Sequence, residues 1–192
     1  MDPIVEMAAR FAYDLASRRV ESGEHGPGGA SFEPFVFLVP SINPRDGEPV
    51  GYPACVMVTS PDQDMLTRWA NLFAVAVKAR ASIFTSEAWT ADTKDGPNVA
   101  REVDAGTVRA RADSCEAIVQ VIATPEGVDV VRVIFKRTAE GVEWGECDWF
   151  EGEPGALPTF IPKGDIPEDV LKEAQRISLE MGLRVMPIAG RA

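Results

Sequence analysis

The sequence predicts an α+β fold: a mainly antiparallel sheet of about six strands with three helices packed on it. Three segments repeat their apolar residues at helical spacing, and six short segments are rich in β-branched and aromatic residues. The last three of these strands are joined by hairpin-length turns. No strand–helix–strand unit carries a Gly-rich phosphate turn, which favours antiparallel pairing over a doubly wound parallel sheet.

Asp2 followed by Pro3 is an N-cap with proline at the first helical position. Ile4, Ala8, Phe11 and Leu15 then recur at helical spacing, so a helix opens the chain and runs to about Val20. Residues 21–31, which include the run SGEHGPGGAS, read as a flexible loop. PFVFLV (34–39) and ACVMVT (54–59) read as strands, each apolar on both faces as a doubly covered strand would be. Ser60-Pro61-Asp62-Gln63 predicts a helix start with Ser60 as cap and Gln63 in the capping-box position. That helix is expected to reach about Ala81 and to lie at the centre of the core, with Trp69 and Phe73 inside, because it is apolar around most of its circumference.

SIFTSEAWT (82–90) is the next strand, followed by a polar loop over 92–114 that is long by ordinary standards. From Glu116 the pattern is a meander of EAIVQVIAT, VDVVRVIFKRT and VEWGECDWF. Its turns are TPEGV (124–128) and TAEGV (138–142), where Gly127 and Gly141 are expected at positive φ. A Pro- and Gly-rich stretch (151–165) leads to a last helix from about Ile166 to Gly182. Ile166, Val170, Ala174, Ile177 and Met181 are its expected buried stripe, and Glu168 with Lys172 is an i,i+4 pair. At 192 residues, 45% hydrophobic and 26% charged, a single domain over 1–192 holds these elements around a sizeable core.

Composition then narrows the chemistry. His25, inside the Gly-rich loop, is the only histidine, which removes most Ser-His-Asp and zinc designs, and neither a cofactor nor a metal is expected. Cys55, Cys115 and Cys147 are odd in number and far apart, so they read as buried free thiols in the cytoplasm. The start lacks a basic segment followed by an apolar run, and nothing approaches the ~18 apolar residues of a spanning helix, so no membrane partner is expected. The net charge of −11 opposes a phosphate backbone, so no nucleic-acid partner is expected by direct electrostatics. That charge is uneven: residues 61–138 hold 11 acidic and 10 basic groups, residues 139–192 hold 11 and 5. Arg109 with Arg111, and Lys136 with Arg137, read as solvated strand and loop charge.

Glu87 needs an explanation, because strand alternation puts it on the face of Ile83 and Trp89. If that face is core, its carboxylate needs a cation or several donors. Arg132, between Val131 and Val133, is the candidate partner; the plainer reading leaves Glu87 exposed. IFTSEAWT (83–90), followed after a loop by DSCEAIVQVIA (113–123), resembles a pattern in uncharacterised bacterial and phage-encoded proteins. In that pattern an apolar-x-S-E-A-W strand precedes an acidic residue and a second apolar strand. The resemblance covers roughly 61–138 and implies an α+β fold and a microbial or phage origin, with no activity attached. Cys115 stands where those proteins place an arginine before the second acid.

Two functions of different class follow. One is a non-enzymatic module that docks a protein partner or self-associates, with homo-oligomerisation open and Glu87, Trp89, Arg132, Trp144 and Trp149 as binding residues. Its motive is the segment 140–173, with 10 acidic and 2 basic residues around Trp144, Trp149, Phe150 and Phe160. The other is a carboxylate-based, divalent-metal-assisted hydrolase around Glu87 and Glu116, with Asp92, Asp95 and Asp113 close in sequence. It requires Glu87 and Glu116 to converge on adjacent strands.

Overall fold

In the computed structural model, which describes residues 1–23, 32–90, 114–152 and 158–188, the elements run in a fixed order. They are α1 (Pro3–Glu21), β1 (Phe35–Val39), β2 (Ala54–Thr59), α2 (Gln63–Ala76), β3 (Ala81–Thr90), β4 (Cys115–Thr124), β5 (Gly127–Thr138), β6 (Gly141–Glu151), α3 (Glu168–Glu180) and β7 (Met186–Pro187). The strands form one sheet in the order β6-β5-β4-β3-β1-β2-β7, and every neighbouring pair is antiparallel. The class is therefore α+β, with seven strands rather than about six. The additional one, β7, is two residues long and contains Pro187, too short and too proline-bearing for a periodicity to mark it.

The sheet divides the interior into two cores. Phe35, Phe37 and Val39 of β1 face α1, while Val36 and Leu38 face the α2 side, and all five are buried. That two-sided burial is the reason the strand is apolar throughout. Asp2 Oδ1 accepts the Ile4 N–H at 2.8 Å, and Pro3 occupies the first turn of α1, as its capping chemistry predicts. The buried stripe of α1 is Val5, Ala8, Ala9, Ala12, Ala16 and Val20; of the expected Ile4–Ala8–Phe11–Leu15 line only Ala8 lies on it, and Phe11 is exposed. Alanines let the helix approach the sheet closely. Gln120 fixes the contact, its Nε2 donating to Ala9 O at 3.0 Å and to Thr85 Oγ1 at 3.3 Å.

On the opposite face α2 packs against β1, β2 and α3. Its cap is Asp62, whose Oδ1 accepts the Met65 N–H at 2.9 Å; Ser60 instead accepts from Asp62 N at 3.2 Å. The helix ends at Ala76, short of Ala81, because Lys78 adopts a left-handed φ of 45° and Ala79 N–H donates back to Ala74 O. Phe73 is buried, but Trp69 is only half-buried at the margin of this core, because α2 covers one side of the sheet instead of lying at its centre. α3 begins at Glu168 and buries Ala174 and Ser178; Val170 and Met181 of the expected stripe are exposed. Glu168 and Lys172 do pair, at 2.6 Å, each shifting the other toward its charged form.

Both hairpins close on two-residue turns, Pro125-Glu126 and Ala139-Glu140, and in each a threonine hydroxyl (Thr124, Thr138) donates to the following glycine's carbonyl. Gly141 has φ of 139°; Gly127 is not at positive φ, so the second expectation of that kind fails. Among the described residues no helix is long and apolar enough to cross a membrane.

Candidate functional site

Glu87 on β3, Glu116 on β4 and Arg137 on β5 meet on the α1 face of the sheet. The register places Glu116 beside Trp89 and Phe135, and Glu87 beside Ile118. All three side chains therefore share a face with the first core. Arg137 Nη2 donates to Glu87 Oε1 at 2.9 Å and Nη1 donates to Glu116 Oε1, while the guanidinium carbon lies 4.9 Å from the Phe135 ring centroid. The Glu87 side chain is only 7% exposed. Arginine suits this position because its planar fork serves two carboxylates while its flat face rests on an aromatic ring.

Arg132 is not the partner of Glu87. It stands opposite Val119 and Asp148, whereas Glu87 lines up with Ile118 and Val133; one step along a strand moves a side chain to the other face. Arg132 donates instead to Asp148 of β6, with Nε at 2.9 Å. Lys136 is exposed, but its neighbour Arg137 is not the solvated charge expected. Glu87 and Glu116 do converge on adjacent strands, around a guanidinium. Among the described residues no group of three or more His, Cys, Asp or Glu side chains is disposed to hold a metal ion. His25, Asp92, Asp95, Asp113, Arg109 and Arg111 lie outside the described residues.

The tryptophans separate into different environments. Trp144 is an anchor between α1 and the sheet, edge-on to Tyr13 at 6.1 Å, 5.5 Å from Phe135, and donating from Nε1 to Glu21. Burial, reinforced by the charges of Cys147, Glu21 and Asp14, raises the Tyr13 pKa. Trp149 is 56% exposed and donates to Asp129 Oδ1 at 3.3 Å. Trp89 lies partly exposed at the end of β3, beside the Glu116 position. The thiols also differ from one another: Cys55 is buried, Cys115 half-buried and Cys147 exposed.

Trp149 belongs to β6, the edge of the sheet. Glu143, Glu146, Glu151, Trp149 and Phe150 are all exposed on this strand, and β5 is its sole strand partner among the described residues. Where β6 ends, a cavity of about 740 Å³ opens between the start of α1 and the β4–β5 turn, lined in part by Asp2, Arg80, Glu126, Asp129 and Glu151. Reading the sequence missed Asp129 and Glu126 because they belong to a strand start and a turn, where acids are ordinarily solvated. It missed Arg137 because the register across β3, β4 and β5 was not fixed. No protein-family model matches the chain, and neither a curated protein nor a solved structure matches it.

Proposed function

We propose that this chain is a non-catalytic docking module of the cytoplasm that binds a basic protein partner through the β6 side of its sheet. The carrying observation is the chemistry of that edge. Between Arg137 and Lys163 the sequence has no basic residue, while Glu140, Glu143, Glu146, Glu151 and the Trp149 indole are exposed. Such a surface steers a cationic partner electrostatically, and exposed aromatics supply the contact area that anchors interfaces. Self-association through the same edge would oppose acid to acid, so a different protein is the better occupant. Three free thiols, one of them exposed, suit a reducing compartment.

The test compares proteins captured from the native host by the wild type and by the triple variant Glu143→Lys/Glu146→Lys/Glu151→Lys. A partner should be retained by the first and lost by the second, with affinity falling roughly tenfold as salt rises from about 0.05 to 0.3 M. Affinity indifferent to salt, or capture indifferent to the charge reversal, would overturn the reading.

The hydrolase reading comes second. It draws on the convergence of Glu87 and Glu116, but a divalent ion would have to displace Arg137 from the oxygens it holds. Thermal unfolding should accordingly show no shift on adding magnesium, manganese or calcium.

A further inference from the structure

We infer that β6 takes up its partner as an added strand, pairing the backbone row that no described strand occupies with an extended segment rich in lysine or arginine. The inference rests on the docking reading above and adds to it the mode of binding and the partner's chemistry.

Gly152 N–H donates to Val128 O at 2.7 Å. Alternation along an antiparallel ladder then makes Val130–Phe150 and Arg132–Asp148 the hydrogen-bonded pairs, and turns the N–H and C=O of Cys147, Trp149 and Glu151 away from β5. At 11 residues, β6 is long for an edge that only β5 pairs with among the described residues, and it contains no proline. Its protection among the described residues is its charge together with a bulge between Trp144 and Cys147, where the register with β5 shifts. The same carboxylates that repel a second acidic edge attract a cationic strand, which excludes a second copy of this chain as the favoured occupant.

The cavity at the end of β6 supports the same partner. Within it Asp2 lies 3.4 Å from Arg80, whereas Glu126, Asp129 and Glu151 have no ion-pair partner among the described residues. Asp129 and Glu151 stand directly opposite each other across β5 and β6, an arrangement that like charges destabilise. A lysine or arginine of the added strand, reaching past Glu151, would relieve that opposition.

The probe is a synthetic peptide alternating lysine with valine, compared with the same peptide N-methylated at every second residue, which keeps the charge but cannot pair along one edge. We expect the unmethylated peptide to slow amide exchange at Cys147, Trp149 and Glu151 about tenfold or more, and the methylated one to bind about tenfold more weakly. Cys147→Pro, which removes an outward N–H and no charge, should weaken the first peptide to a similar degree, and Cys147→Ala should not. Equal binding of both peptides with unchanged exchange would overturn strand addition while leaving charge-driven docking intact. Partner capture indifferent to the Glu→Lys variant would remove the docking reading itself. A dimer abolished by Cys147→Pro would overturn the basic partner in favour of a second copy.

Discussion

Arg137 sits between Glu116 and Glu87, two carboxylates from neighbouring strands. Arg137→Met takes the guanidinium from Glu87 and Glu116, whose side chains are 7% and 18% exposed, and should destabilise the protein by about 2–4 kcal/mol in denaturant melts. Adding Glu87→Gln should recover part of that loss, whereas Arg132→Met and Glu87→Gln should be additive because they lie on opposite faces. Additivity for Arg137 and Glu87 would refute the pairing. Cys55 gives a pH-dependent counterpart: burial pushes its thiol up to about 11 from an ordinary 9. A raised folded-state pKa means that the unfolded chain loses its proton first, so the stability contribution is full below pH 9 and lost as pH rises through 11. Wild type should lose about 2–3 kcal/mol more than Cys55→Ala across that window, measured by unfolding at each pH. Equal losses would show that the thiol does not contribute.

At the level of elements, what was legible in the sequence was the existence of six of the seven strands and each helix's approximate span; what was not was the two-residue β7, rotation and register. The Asp2–Pro3 cap and the doubly apolar β1 follow from local chemistry and were readable. The rest of the buried stripe of α1 was not, because beyond Ala8 it runs through Ala9, Ala12 and Ala16, small residues buried for close approach that a search for large apolar side chains passes over. Arg132 was preferred to Arg137 for the same kind of reason. The β4–β5 turn can be counted from TPEGV, but the β3–β4 register crosses a long connection that fixes no count. The end of α2 was hidden because Lys78 occupies a left-handed position that usually announces itself as glycine. Lys78→Gly should therefore stabilise the protein by roughly 0.5–1 kcal/mol, and a loss of stability in chemical denaturation would contradict the strain.

For the whole molecule the governing quantity is where the charge lies relative to the sheet edges. One edge ends in the two-residue β7; the other, β6, is eleven residues long and has β5 as its sole strand partner among the described residues, and on the docking reading its acids limit indiscriminate pairing. Neutralising them without altering shape separates that role from folding. Glu143→Gln/Glu146→Gln/Glu151→Gln removes three exposed carboxylates but leaves Asp148 with Arg132 and the Arg137 cluster untouched. Monomer stability should change by no more than about 0.5 kcal/mol per site, since exposed polar substitutions seldom do more. Association should change instead. At raised protein concentration the variant should sediment as dimers or larger species while the wild type remains monomeric, and Cys147→Pro introduced into the variant should restore the monomer by blocking the outward row. A variant that stays monomeric under all conditions would mean that something other than charge guards this edge.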